Sequence, residues 1–326
     1  MYKKLNIKTL ALVLVILLVI VAVVYISDAK KGERSFRARI IDADTSKITS
    51  IVIYPKGDKN NVIELNKKSD GWKVISGNKS YNADEMMINN TITTLAGLKP
   101  QQLTATRKEH WGKFDVTDSA ATRVKLYEGK KLVTNLYVGR FNYQPPPRQT
   151  QNYYNYGQQG TMSTYVRLAD EKEVYSVEGF LSMSLGRNAN DFRKKTIINC
   201  NKDDLNKISF SYPADSSFTL MKEGDKWTTD GLVCDSTAVA AYINAVSRLT
   251  SSGFADDNIL LGNNADYVLH IEGNNFATPI VIKAFRNDST ENYFITSSLN
   301  EGAIFNGSGS NLTNKLFVSR RKFLKP

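Results

Sequence analysis

The residues of this chain with chemistry to offer are few. There are two histidines, two cysteines and two pairs of adjacent aspartates. His110 precedes Trp111 in a polar connection. His270 sits in the alternating run Tyr267–Ile271, on the face opposite Tyr267, Leu269 and Ile271. A metal site needs three or four His, Cys or carboxylate ligands at workable spacing. One histidine in each half, with no carboxylate at ligand spacing, does not supply them, so neither a metal nor another cofactor is expected. Cys200 and Cys234 are too few for a zinc site or a disulfide framework. Their pairing in an oxidising compartment would close a loop of ~34 residues and contribute ~3–4 kcal/mol; two free, partly buried thiols is the simpler reading. Asp203-Asp204 and Asp256-Asp257 lie in loops. Two carboxylates that hydrolyse a glycoside face each other across a cleft, whereas sequence neighbours usually form turns and caps. The chain contains no G-x-S-x-G, no phosphate-binding loop, no G-x-G-x-x-G and no H-E-x-x-H. No nucleophile stands beside a base, and catalysis is not expected.

The tyrosines offer a different chemistry, that of contact. Between Arg140 and Thr161 run Tyr143-Gln144-Pro145-Pro146-Pro147 and then Tyr153-Tyr154-Asn155-Tyr156-Gly157. This stretch is too poor in aliphatic residues to pack a core, and the three prolines favour extended backbone. Tyrosine supplies large amphipathic contact area at low entropy cost. Tyr143, Tyr153, Tyr154 and Tyr156 are therefore the candidate partner contacts, in an insertion spanning residues 141–160.

What holds such a surface in place begins at the N-terminus. Leu10 to Ile26 carries no charge, proline or glycine. With its flanks it approaches the ~20 residues of a spanning helix and exceeds the ~7–15 apolar residues of a cleaved signal. A retained transmembrane anchor over 10–27 is expected, behind a tail at 1–9. The absence of a cysteine just after the run argues against a lipoprotein. Lys3, Lys4 and Lys8 precede the run; Lys30, Lys31, Arg34, Arg37 and Arg39 follow it in a juxtamembrane linker over 28–46. That bias favours a cytoplasmic C-terminal side, but large domains cross largely regardless of charge, so the count does not decide orientation.

With 43 Lys and Arg against 32 Asp and Glu, the net charge is +11. The basic residues are dispersed and are not interleaved with stacking aromatics, so no nucleic-acid partner is expected. The Lys30–Arg39 segment would suit anionic head groups beside an anchor.

Downstream the chain is built twice. Ile51-Val52-Ile53-Tyr54-Pro55 and Ile208-Ser209-Phe210-Ser211-Tyr212-Pro213 each open a copy with a strand. A second strand follows, then one tryptophan after a charged turn: Trp72 and Trp227, 155 residues apart. A helix comes next. In the first copy Asn82-Ala83-Asp84-Glu85 reads as a capping box ahead of Ile88, Ile92 and Leu95. In the second, Asp235 or Ser236 caps a helix bearing Val239, Tyr242, Ile243, Val246 and Leu249. Four further strands complete each copy. The pattern predicts an α+β protein of two tandem β-rich repeats, 47–199 and 200–326, each a mostly antiparallel sheet with one amphipathic helix.

The lone Trp72, the helix opened by Ala83-Asp84, the element Trp111-Gly112-Lys113-Phe114-Asp115 and the strands around Tyr165-Val166-Arg167 and Val174-Tyr175 together resemble the bacterial family called domain of unknown function 4340. The resemblance covers nearly all of the chain after the apolar run. It implies neighbourhood with a gliding-motility-type ABC transporter and a periplasmic domain tethered to the inner membrane. It brings no catalytic residues. The Tyr/Pro-rich insertion departs from the family pattern. The resulting expectation is a structural or interaction protein, accessory to an inner-membrane or envelope complex, with a small-molecule ligand not expected. The alternatives are a module holding a glycan or peptide between the copies, for which Trp72 and Trp227 would be the natural lining, and an envelope hydrolase using the acid pairs.

Overall fold

The computed structural model describes residues 14–21, 37–58, 61–145, 160–255, 259–287 and 292–325. Residues 14–21 form helix α1, and its eight Leu, Val and Ile side chains are 51–61% exposed. The remainder of the 10–27 run lies outside the described residues. Among those described, no helix is long and apolar enough to cross a membrane.

The first unit contains β1 (Ser50–Tyr54), β2 (Ile63–Lys68), β3 (Gly71–Ser76), β4 (Lys79–Asn82), helix α2 (Glu85–Ala96), β5 (Pro100–Ala105), β6 (Thr122–Glu128), β7 (Lys131–Gln144), β8 (Thr161–Leu168) and β9 (Val174–Glu178), followed by short helices α3 (Leu181–Leu185) and α4 (Ala189–Phe192). The second contains β10 (Leu205–Ser211), β11 (Phe218–Glu223), β12 (Lys226–Thr229), β13 (Leu232–Val233), α5 (Ser236–Val246), β14 (Tyr267–Gly273), β15 (Ile280–Arg286), β16 (Tyr293–Ser297), β17 (Phe305–Asn306) and α6 (Leu312–Leu316). The protein is thus α+β, with one sheet ordered β4-β3-β2-β1-β6-β7-β8-β9-β5 and the other β13-β12-β11-β10-β14-β15-β16-β17. Neighbouring strands pair antiparallel throughout. Leaving out edge strand β5, the two sheets have the same connectivity, including the step across the helix from the first strand to the fifth.

The correspondence extends to single bonds. Ala83 N–H donates to the Trp72 carbonyl at 2.9 Å, and Cys234 N–H to that of Trp227 at 2.8 Å. Asp84 and Asp235 cap α2 and α5 with their carboxylates, and their N–H groups donate to Phe192 O and Phe323 O, both at 2.8 Å. Ile51 and Ile53 fill the first core where Ile208 and Phe210 fill the second, each pair 157 positions apart. Inward residues at every second position are what a sheet with one covered face requires.

The structure shifts several expected boundaries. Asp84, not Asn82, is the N-cap of α2, its carboxylate accepting from Met87 N–H at 3.1 Å; Asn82 is still paired in β4. Four strands precede each helix, and the last of them, β4 and β13, went unread because they are short and lack an alternating apolar signature. Ile40 and Ile41, within the stretch read as linker, belong to the first core, and Ile197 and Ile198 to the second. The Tyr-Pro pairs fall one residue out of step: Tyr54 ends β1, whereas Tyr212 follows β10. Phe192 finds its counterpart in Phe323.

The units meet at the segment between them. The Arg193 guanidinium lies 3.7 Å from the centre of the Tyr81 ring and 3.8 Å from that of Phe254, one ring from each unit. Lys194 Nζ donates to Leu299 O at 2.8 Å, and Asn300 Nδ2 donates back to Lys194 O at 2.6 Å.

Candidate partner-binding surface

The contact residues expected from sequence divide at Pro145. Tyr153, Tyr154 and Tyr156 lie outside the described residues, and Tyr143 lies within them. The first residues of the expected insertion are not loop: Phe141 to Gln144 continue β7 and pair with Thr164 to Thr161 of β8. Tyr143 stands opposite Met162 near the tip of this long hairpin.

The sheet's own pleat creates a surface there. Val138 of β7 faces Val166 of β8, and both are in the first core. A one-residue bulge follows, so that the next aligned pair is Phe141 with Thr164, then Tyr143 with Met162. The bulge restores the alternation after its extra residue, so Phe141, Tyr143 and Met162 extend the core face beyond the core. Gly139 in the bulge is required by space: a Cβ there would come within 2.1 Å of Phe114 O.

A turn after β9 brings more apolar surface to the same place. Gly179 adopts φ +100, a conformation that L side chains rarely take. Its N–H donates to Met162 O at 2.9 Å. The buried Thr164 hydroxyl donates to Gly179 O at 2.7 Å and accepts from Leu181 N–H at 3.2 Å. These bonds set Phe180 on Phe141, ring centres 4.5 Å apart. α3 then buries Leu181 and Leu185 and turns Met183 outward. Tyr143 is 50% exposed, Met162 49%, Phe180 40% and Met183 66%. Scattered apolar residues on a surface are ordinary; large apolar side chains held together by one hairpin and one turn make a candidate contact surface. Met162, Phe180 and Met183 were not singled out in the sequence. The available signal was the large apolar residues at both ends of the Thr161–Leu181 segment.

Among the described residues, those considered for catalysis do not converge. His110 lies in a 3₁₀ turn, Lys108–Phe114, of the first unit, and His270 on β14 of the second. Asp203 and Asp204 lie in a 3₁₀ turn, Lys202–Asp204, rather than a loop, and Asp204 accepts from Asn275 Nδ2 at 2.8 Å; Asp256-Asp257 lie outside the described residues. Among the described residues no group of His, Cys, Asp and Glu is placed to hold a metal. Both cysteines are free thiols, and burial raises the pKa of each. The cleft between the units has a volume of about 500 Å³ and is polar, lined by Lys73, Asn82, Ser298 and Glu301 among others. Neither Trp72 nor Trp227 reaches it: Trp72 belongs to the first core, and Trp227 packs against the second.

The element Trp111–Asp115 is docked onto the first sheet by a buried arginine. Arg167 is 2% exposed. Its guanidinium lies 3.6 Å from the Trp111 ring centre and 4.2 Å from that of Tyr137. Nε donates to Val116 O at 3.2 Å and Nη1 to Leu168 O at 3.0 Å. Trp111 Nε1 donates to Lys172 O at 2.9 Å, and the Tyr137 hydroxyl to Asp118. Asp115 closes the turn in the left-handed region at φ 56. Desolvation pulls the Arg167 pKa below the usual arginine value.

These features define a duplicated antiparallel-sheet protein with an exposed apolar hairpin face. The chain belongs to the family described as Domain of unknown function (DUF4340), whose model matches residues 72–267, from Trp72 of the first unit to Tyr267 of the second. No curated protein and no solved structure matches the chain.

Proposed function

We propose that this protein is an interaction module, tethered at the bacterial inner membrane by the 10–27 segment with its two sheet units in the periplasm, and accessory to an ABC-transporter-type or other envelope complex. The observation that carries the reading is the face where Phe141, under Phe180, continues the core face of β7–β8 and Tyr143, Met162, Phe180 and Met183 stand exposed among the described residues. Its occupant is an apolar surface on a membrane-embedded subunit. The exposed, wholly apolar α1 supports the tether, because a helix apolar on all sides calls for a lipid or protein cover. The transporter association rests on the family resemblance.

The test is crosslinking in intact membranes with a photoreactive residue at Met183, using the full chain, together with a phosphatase fusion at the C-terminus. Expected are a crosslink to an integral membrane subunit, its loss in Phe180→Ser, and an active fusion. A silent fusion, or a crosslink unchanged by Phe180→Ser, overturns the proposal.

A further inference from the structure

The two units differ at one corresponding place. In each, a tryptophan pairs across the hairpin with a lysine: Trp72 with Lys67, and Trp227 with Lys222. The next pair is Lys68 with Gly71 in the first unit and Glu223 with Lys226 in the second. The first helical residue is Glu85 in one and Ser236 in the other.

In the first unit, Glu85 lies over Gly71, its Oε1 only 2.7 Å from where a Cβ would stand, and Trp72 is 6% exposed. In the second unit the short Ser236 cannot make that cover, and Lys226 occupies the glycine's place. A groove of about 650 Å³ opens between α5 and the β11–β12 hairpin, with Trp227, Val239 and Ile243 among its lining. Lys202, Lys222, Lys226 and Lys325 also line it, against two acids, Asp203 and Asp225. Among the described residues none of these six side chains is ion-paired.

We propose that this groove is a binding site for a small organic anion, a carboxylate or phosphate ester whose apolar body lies along Trp227 while its charge meets the lysines. The volume falls within the ~300–1,000 Å³ of small-ligand sites, which combine apolar lining with a few polar groups. The surplus of two cations sets the sign of the ligand, and the indole face favours a flat or ring-bearing body. This site is distinct from the Phe180 face and does not depend on it.

The probes are 4-fluorophenyl phosphate and 4-fluorobenzoate, followed by ¹⁹F line broadening with the full chain in neutral detergent, with uncharged 4-fluoroanisole as comparator. Binding of at least one anion is expected, with little broadening of 4-fluoroanisole. Replacing two exposed lysine contacts in Lys222→Gln/Lys226→Gln should weaken binding about fivefold, and Lys67→Gln, the matching change in the closed first unit, should leave it unchanged. Preference between the anions identifies the head group. No broadening of either anion, equal broadening of 4-fluoroanisole, or equal losses in Lys67→Gln and the double variant overturns the proposal. The last result would reflect only the diffuse positive charge of the chain.

Discussion

Replacing Arg167 with lysine tests whether the plane and fork of the guanidinium, rather than its charge, hold the Trp111–Asp115 element to the sheet. The guanidinium is stacked between Trp111 and Tyr137 and bonded to the carbonyls of Val116 and Leu168. A desolvated cation–π contact is worth ~2 kcal/mol, and a buried acceptor left without its donor costs ~1–3 kcal/mol. Opposing these is the desolvation of the cation, several kcal/mol, which an apolar replacement would relieve. For Arg167→Met the balance is a loss of about 2–3 kcal/mol. Lysine keeps the charge in the same buried place but has neither the flat face nor the fork, so Arg167→Lys should lose at least as much. At ~2–4 °C per kcal/mol for a domain of 150–250 residues, the unfolding midpoint of the first unit falls by roughly 5–10 °C. The assay is thermal unfolding of the full chain at neutral pH followed by indole fluorescence, to which Trp111 contributes directly. A lysine variant that melts within ~1 °C of the parent would refute the reasoning, because charge alone would then account for the site.

Two further outcomes follow from the structure. Arg193→Ala removes the cation held between Tyr81 and Phe254, so the transitions of the two units should move further apart in calorimetry and the chain be cleaved faster between residues 193 and 199; an unchanged profile counts against that joint. Buried Tyr242 donates to Leu316 O at 2.7 Å and its pKa is raised by burial, while the hydrogen bond with Tyr267 helps push Tyr293 up to about 12. Unfolded tyrosines release their proton near pH ~10 while these native ones retain it, so stability falls as pH rises above that value. Tyr242→Phe should lose ~1 kcal/mol at neutral pH yet show a shallower alkaline decline in urea titrations, and an identical alkaline slope would contradict it.

The sequence carried the duplication because it is written in local signals. Alternating residues in β10, the Trp72 and Trp227 landmarks, and the stripe from Val239 to Val246 each follow from side-chain direction along one element. Weak local signals were missed. Strands β4 and β13 are short, and the capping register of α2 was displaced because Asn82 and Asp84 both have capping chemistry. The sequence draws attention to Tyr143 but not to Met162, Phe180 and Met183, which the structure leaves exposed on the same hairpin and the turn beside it.

The sequence by itself determined an α+β chain built twice, its apolar N-terminal run, and the membership that Trp111–Asp115 pointed to. Only the tertiary structure decided where surface is left over. Phe180 reaches Phe141 through a turn fixed by Thr164, Arg167 finds two rings from distant segments, and a groove opens beside Trp227 in one unit where Trp72 is buried in the other. Periodicity assigns a residue to a face, but what covers that face depends on segments far away in the chain.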